Sequence, residues 1–247
     1  MSAPNYVTYT ILLSSIGIIA AVLLGMRVAV TRAGWKDAPR VATLRTAAVL
    51  LPLWFVVALA LSSVDAFRGA ADRVPTIEFG IFVPVALGLL WMWRSETATR
   101  LIDAIPQSWL IGVQFYGVLG VIFLLLHAQG NLPSLFALPA GGGDITVGLL
   151  APIVAVAYAC GVAGREVLVG AWNILGLLDL AVAVTMGFLT SPSPLQMYAF
   201  DAPNELITAY PLVLVPVFAV PLSVLLHVAS LIKLARETAH QKSPTSA

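Results

Sequence analysis

Apolar residues run along this chain in seven long stretches, at about 7–30, 43–63, 77–94, 109–129, 144–163, 167–189 and 209–232, with short polar breaks between them. Crossing about 30 Å of hydrocarbon takes roughly 20 apolar residues at 1.5 Å rise, so each stretch predicts a membrane-spanning helix. The third is the weakest, because Pro84 interrupts a run opened by Glu78. Pro52, Pro152, Pro216 and Pro221 fall inside other runs. In water each argues against a helix, whereas in lipid neighbouring helices satisfy the freed carbonyls. The expected fold is all-α, a polytopic transmembrane helix bundle of about seven spans. It forms a single domain over 1–247, with a mobile cytoplasmic tail over 235–247. No internal repeat of the kind seen in many transporters is visible.

Lysine and arginine fix the expected orientation. With seven spans, Arg27, Arg32, Lys36, Arg40, Arg45, Arg94, Arg100, Arg165, Lys233, Arg236 and Lys242 share one side, and Arg68 and Arg73 take the other. The positive side faces the cytoplasm, which puts Met1 outside and Ala247 inside. The opening residues MSAPNYVTYT lack the positive segment of a signal peptide, and the run behind them is too long for its apolar core, so it is expected to stay as the first span.

Composition agrees with lipid as the main partner. Hydrophobic residues make up 60% of the chain and charged ones 10%, against about 25% charged in soluble domains. The net charge of +1 is dispersed at helix ends and gives no nucleic-acid surface. The single cysteine, Cys160, excludes an internal disulfide or a thiolate metal cluster.

Polar residues inside spans are costly, and so they are the functional candidates. Asp179 lies in the sixth span, roughly 18 Å from its inner end by helix rise, among aliphatic neighbours that force it towards the bundle interior. It reads either as a proton or cation site or as a hydrogen-bonded acid that fixes packing. Gln114, Asn173 and His227, in the fourth, sixth and seventh spans, share a level about 8–9 Å inside the cytoplasmic boundary. Ser223, His227 and Ser230 follow i, i+4, i+7 spacing and give the last span one polar stripe. This layer suits a ligand's polar head or a proton path, and equally suits interhelical hydrogen bonding.

A third group lies near the outer ends: Glu78, His127, Asp144, Asn204 and Glu205. Two carboxylates and an imidazole suit a divalent cation, yet the same positions suit helix capping. Asp144 behind three glycines is expected to open the fifth span, and Asn204 behind Pro203 the seventh. Along the fifth span, Asp144, Gly148, Ala151, Ala155 and Tyr158 form a narrow face that allows close helix approach. No metal site is assigned.

Several chemistries are argued against. Retinal needs a lysine in the middle of the last span, but Lys233 stands at its inner end, and Lys36 and Lys242 lie outside the spans. Bis-histidine haem needs two histidines at one depth, whereas His127 and His227 differ by nearly 20 Å on this topology. His240 lies in the tail. The GGGD turn lacks the lysine of a phosphate loop, and no HExxH or nucleophile elbow occurs.

The segments LIGVQFY (110–116), WNILGLLDL (172–180), TSPSP (190–194) and ITAYPLVLVPVFAVPLSVLLHVASL (207–231) resemble a set of uncharacterised bacterial multi-pass membrane proteins, over roughly Ile105 to Leu234. The resemblance implies a bacterial cytoplasmic (inner) membrane and brings no activity with it. Three functional readings follow. The chain binds or moves a small solute or proton through the polar layer. Alternatively it is an intramembrane redox or metal-dependent enzyme subunit holding a single-ligand haem, quinone or metal. The third reading is an accessory or scaffold subunit whose partner membrane subunit carries the activity.

Overall fold

The computed structural model describes residues 3–242, and among these the chain is helical with no strand. The helices are α1 (Asn5–Arg32), α2 (Asp37–Ser63), α3 (Ile77–Arg94), α4 (Glu96–Ala104), α5 (Gln107–Gly112), α6 (Val121–Ala128), α7 (Ser134–Ala159), α8 (Arg165–Thr190) and α9 (Val220–Lys242). Residues Val113–Gly120 form a 3₁₀ stretch that joins α5 to α6, and a π turn at Val215–Ala219 leads into α9. Counted as continuous rods, seven are long and apolar enough to cross a bilayer: α1, α2, α3, Gln107–Ala128, α7, α8 and Val215–Ala239.

The rods differ from the sequence expectation at three places. The fifth starts at Ser134, ten residues before Asp144, and runs unbroken through Pro139 and Gly141–Gly143 to Ala159. Asp144 therefore does not open a helix. The seventh begins at Val215, because Pro211 sits in a turn and Pro216 and Pro221, five residues apart, each lack an N–H for the α-helical ladder. Its helix also takes in 235–242, part of the stretch expected as a mobile cytoplasmic tail; 243–247 lie outside the described residues. Finally, α4 is a short extra helix, capped by Ser95, whose Oγ accepts the N–H of Ala98 at 3.3 Å.

The last rod is central, with half of its most apolar stretch buried, while α2 and α3 bury only 11% of theirs and present the rest outward. Phe218 in the π turn is fully buried and meets Trp54 and Phe55 of α2 edge-on at 4.9 and 5.0 Å. At one end of the bundle, Tyr6 Oη donates to Gln129 Oε1 at 3.3 Å and the Gly69 N–H donates to Thr208 Oγ1 at 3.1 Å. At the opposite end, Lys233 Nζ donates to the Asp103 carbonyl at 2.7 Å and pairs with Glu237 at 3.2 Å. Glu237 also accepts from Tyr158 Oη, and Arg236 pairs with Asp103 at 3.3 Å. Those contacts tie α4, α7 and α9 together.

Between apolar helices in lipid, close packing and hydrogen bonds replace the hydrophobic drive. The 3₁₀ stretch and α7 meet backbone to backbone: a Cβ on Gly148 would lie 2.5 Å from the Val118 nitrogen, and one on Gly117 would lie 2.7 Å from the Asp144 carbonyl oxygen.

Candidate functional site

Three polar contacts gather around α9. Ser223 Oγ donates to Gln114 Oε1 at 2.5 Å. Asn173 on α8 donates through Nδ2 to the Val169 carbonyl at 2.8 Å and to Ser230 Oγ at 2.9 Å. Because both Asn173 donors are used, its Oδ1 faces His227 Nδ1 at 2.9 Å as an acceptor. The proton of a neutral His227 therefore sits on Nδ1, and Nε2 remains an acceptor. The His227 ring is fixed further by Trp172, 4.8 Å away, and by Gly176, where a Cβ would lie 2.3 Å from Nε2. The structure thus joins Gln114 to Ser223, and His227 to Asn173 and Ser230. Both hydrogen-bonded groups are anchored on α9, one through Ser223 and the other through His227 and Ser230.

Gln107 is a member the sequence reading missed. Its Nε2 donates to Ser230 Oγ at 2.7 Å and to the Ser230 carbonyl at 3.1 Å. It follows Pro106, ahead of the expected start of the fourth span, and so looked like a loop residue. The signal that could have found it is its place one helical turn before Ile111, on the rod that carries Gln114.

Asp179 on α8 and Asp144 on α7 come together on the wall of one interior cavity. An ionised carboxylate only accepts, so a hydrogen bond between the two carboxyls requires a proton on one of them. Gly143 makes room for the pair: a Cβ there would lie 1.7 Å from Asp179 Oδ1. Asp144 was expected at an outer helix start, and the structure instead places it inside α7, beside Asp179.

The other outer-face candidates do not join it. Glu78 is half-buried in the first turn of α3, and Glu205 is exposed. His127 Nδ1 lies 2.9 Å from the Leu132 carbonyl and closes the turn after α6. Asn204 is fully buried and does not open α9: its N–H donates to the Thr190 carbonyl at 2.9 Å, and its carbonyl accepts from Ser191 Oγ at 3.1 Å, binding the loop to the end of α8. Among the described residues no three His, Cys, Asp or Glu side chains gather as a metal centre.

A cavity of about 70 Å³ unites the interior groups. It is lined by Gln114, Asp144, Asp179, Ser223 and His227, with Tyr116 and, from α1, Ser14 and Ser15. That volume has room for several waters. The cavity walls include both irregular stretches, the 3₁₀ segment and the start of the π turn, which fits the rule that non-helical backbone at membrane depth lines a cavity.

No curated protein and no solved structure matches the chain. A family described as a domain of unknown function (DUF8737) matches residues 74–235, a stretch that includes Gln107, Gln114, Asp144, Asn173, Asp179, Ser223 and His227. With more than half of its length matched, the chain belongs to this DUF8737 family.

Proposed function

We propose that the protein binds or moves a proton or small solute at the cavity between α7, α8, α9 and the Gln107–Ala128 rod. In this reading it spans a bacterial cytoplasmic membrane seven times, with Met1 outside and Ala247 in the cytoplasm. One observation carries the function: a carboxyl pair, an amide, an imidazole and a hydroxyl, drawn from four rods, line the same interior space. Hydrogen-bond glue alone needs no cavity beside it. A shared proton next to space for water is the arrangement that takes up and releases a proton.

Infrared spectroscopy of the purified protein tests this without knowledge of a ligand. A protonated-acid carbonyl band is expected, and it should shift within minutes of transfer to D₂O and vanish in Asp144→Asn and Asp179→Asn. A band that never responds to D₂O marks a sealed, structural pair and overturns the reading. So does failure of both Asp179→Asn and His227→Ala to insert as folded protein.

A further inference from the structure

A second cavity, of about 50 Å³, adjoins the first. Phe123, Asp144, Leu180, Val215 and Val220 line both, so the two compartments share a wall in which Asp144 is the sole ionisable residue. Their characters are opposite. The first presents the carboxyl pair, Gln114, Ser223 and His227. The second is walled by groups such as Ile81, Phe136, Val184 and Phe188, and extends to the Gly69, Pro192 and Thr208 end of the bundle.

Charge limits the occupant. Neither cavity is lined by lysine or arginine. An anion entering here would meet the carboxyl pair with no fixed cation to offset the repulsion or the desolvation. Gln114 supplies a second, independent sign of a polar guest. Its side chain lines the first cavity, it is 2% exposed, and its Nε2 has no partner. A buried donor of this kind is costly unless the cavity contents accept from it.

We propose that the two compartments bind a small amphiphilic amine, with the charged nitrogen between Asp144 and Asp179 and a short apolar tail in the second cavity. The proposal rests on the reading of the polar cavity as accessible from outside the protein. The ammonium takes the place of the proton shared by the two carboxyls, and that proton leaves to solvent. The polar side accommodates waters that link the nitrogen to Gln114. An apolar cavity of about 150 Å³ accepts benzene, so these smaller spaces suit a chain of about two to four carbons.

Calorimetric titration of the full-length protein in detergent, with protein-free micelles subtracted, provides the test. Methyl-, ethyl-, propyl- and butylammonium chlorides are the probes, with sodium chloride and sodium butyrate as comparators. Affinity is expected to rise about fourfold per methylene until the second cavity is filled. Sodium and butyrate should give no heat, and Asp144→Asn should weaken butylammonium at least tenfold. Should Asp144→Asn not fold, Val184→Phe, which occupies the second cavity, is expected to leave methylammonium unchanged and to abolish the gain for propyl and butyl. Affinity that does not depend on chain length, butyrate binding as tight as butylammonium, or a Val184→Phe variant with the wild-type gain overturns the proposal. If the infrared band exchanges in D₂O and no amine binds, this inference fails alone; a band that does not exchange removes the underlying reading too.

Discussion

Gly143 and Asp179 are in such close contact that any side chain at position 143 must move the carboxyl group. Gly143→Ala is expected to destabilise the protein by about 1–3 kcal/mol, the usual cost of overpacking, and to alter the acid carbonyl band. Thermal unfolding in detergent and the infrared spectrum check the two effects. Asn173→Ala removes bonds to Val169, Ser230 and His227 at once. At about 0.6 kcal/mol per interhelical bond, a loss of about 1–2 kcal/mol is expected, and the Nδ1–H tautomer of His227 should no longer dominate its ¹⁵N spectrum. Gln114, Asn173, Asp179, Ser223, His227 and Ser230 stand out in the sequence because lipid makes polar groups expensive and helix rise converts position into depth. Asp144 stands out only as an outer-face candidate and helix opener, because GlyGlyGly reads as a helix stop in water. Within a bundle the same glycines admit a neighbouring backbone and a carboxyl group, and the helix passes through them.

The elements show where apolar length is informative and where it is not. Seven long runs correspond to seven rods, and the ends of α1, α3 and α8 fall close to the limits of their runs. Hydropathy carries no sign of a change in winding, however, since VQFYGVLG is apolar whether it coils as α or 3₁₀. The tighter coil packs against α7 across Gly117 and Gly148, a tertiary contact that hydropathy does not report. Gly148→Ala directs a methyl group at the Val118 backbone nitrogen, 2.5 Å away, and neither backbone can yield cheaply. Its thermal unfolding midpoint in detergent should therefore fall, by an amount equivalent to about 1–3 kcal/mol. Gly112→Ala is the control. There the nearest atom is the Ala155 Cβ at 3.8 Å, an ordinary contact, and little change is expected.

Across the whole molecule, the proposed orientation has a direct chemical check in Cys160, which is the chain's single cysteine and is exposed at the end of α7. A membrane-impermeant maleimide should label it only after the cells are opened. A cysteine placed at Ala70 in a Cys160→Ala background should react in intact cells, and the reverse pattern would invert the topology. The pairing of the two halves of the site was not legible at this scale, because depth can be read from a sequence but the rotation of one rod about another cannot. A last feature concerns α1. Ile11, Ser14, Ser15 and Ile18 line the polar cavity, and every other lining residue lies within the family-matched 74–235 stretch. The chemistry of the cavity and its enclosure are thus supplied by separate parts of the chain, like a lock body and its cover plate. Ser15→Leu on the cover is expected to narrow the chamber and shorten the longest amine admitted, while leaving the exchange of the carboxyl proton intact. Selectivity could then be altered from the first helix without touching an acid.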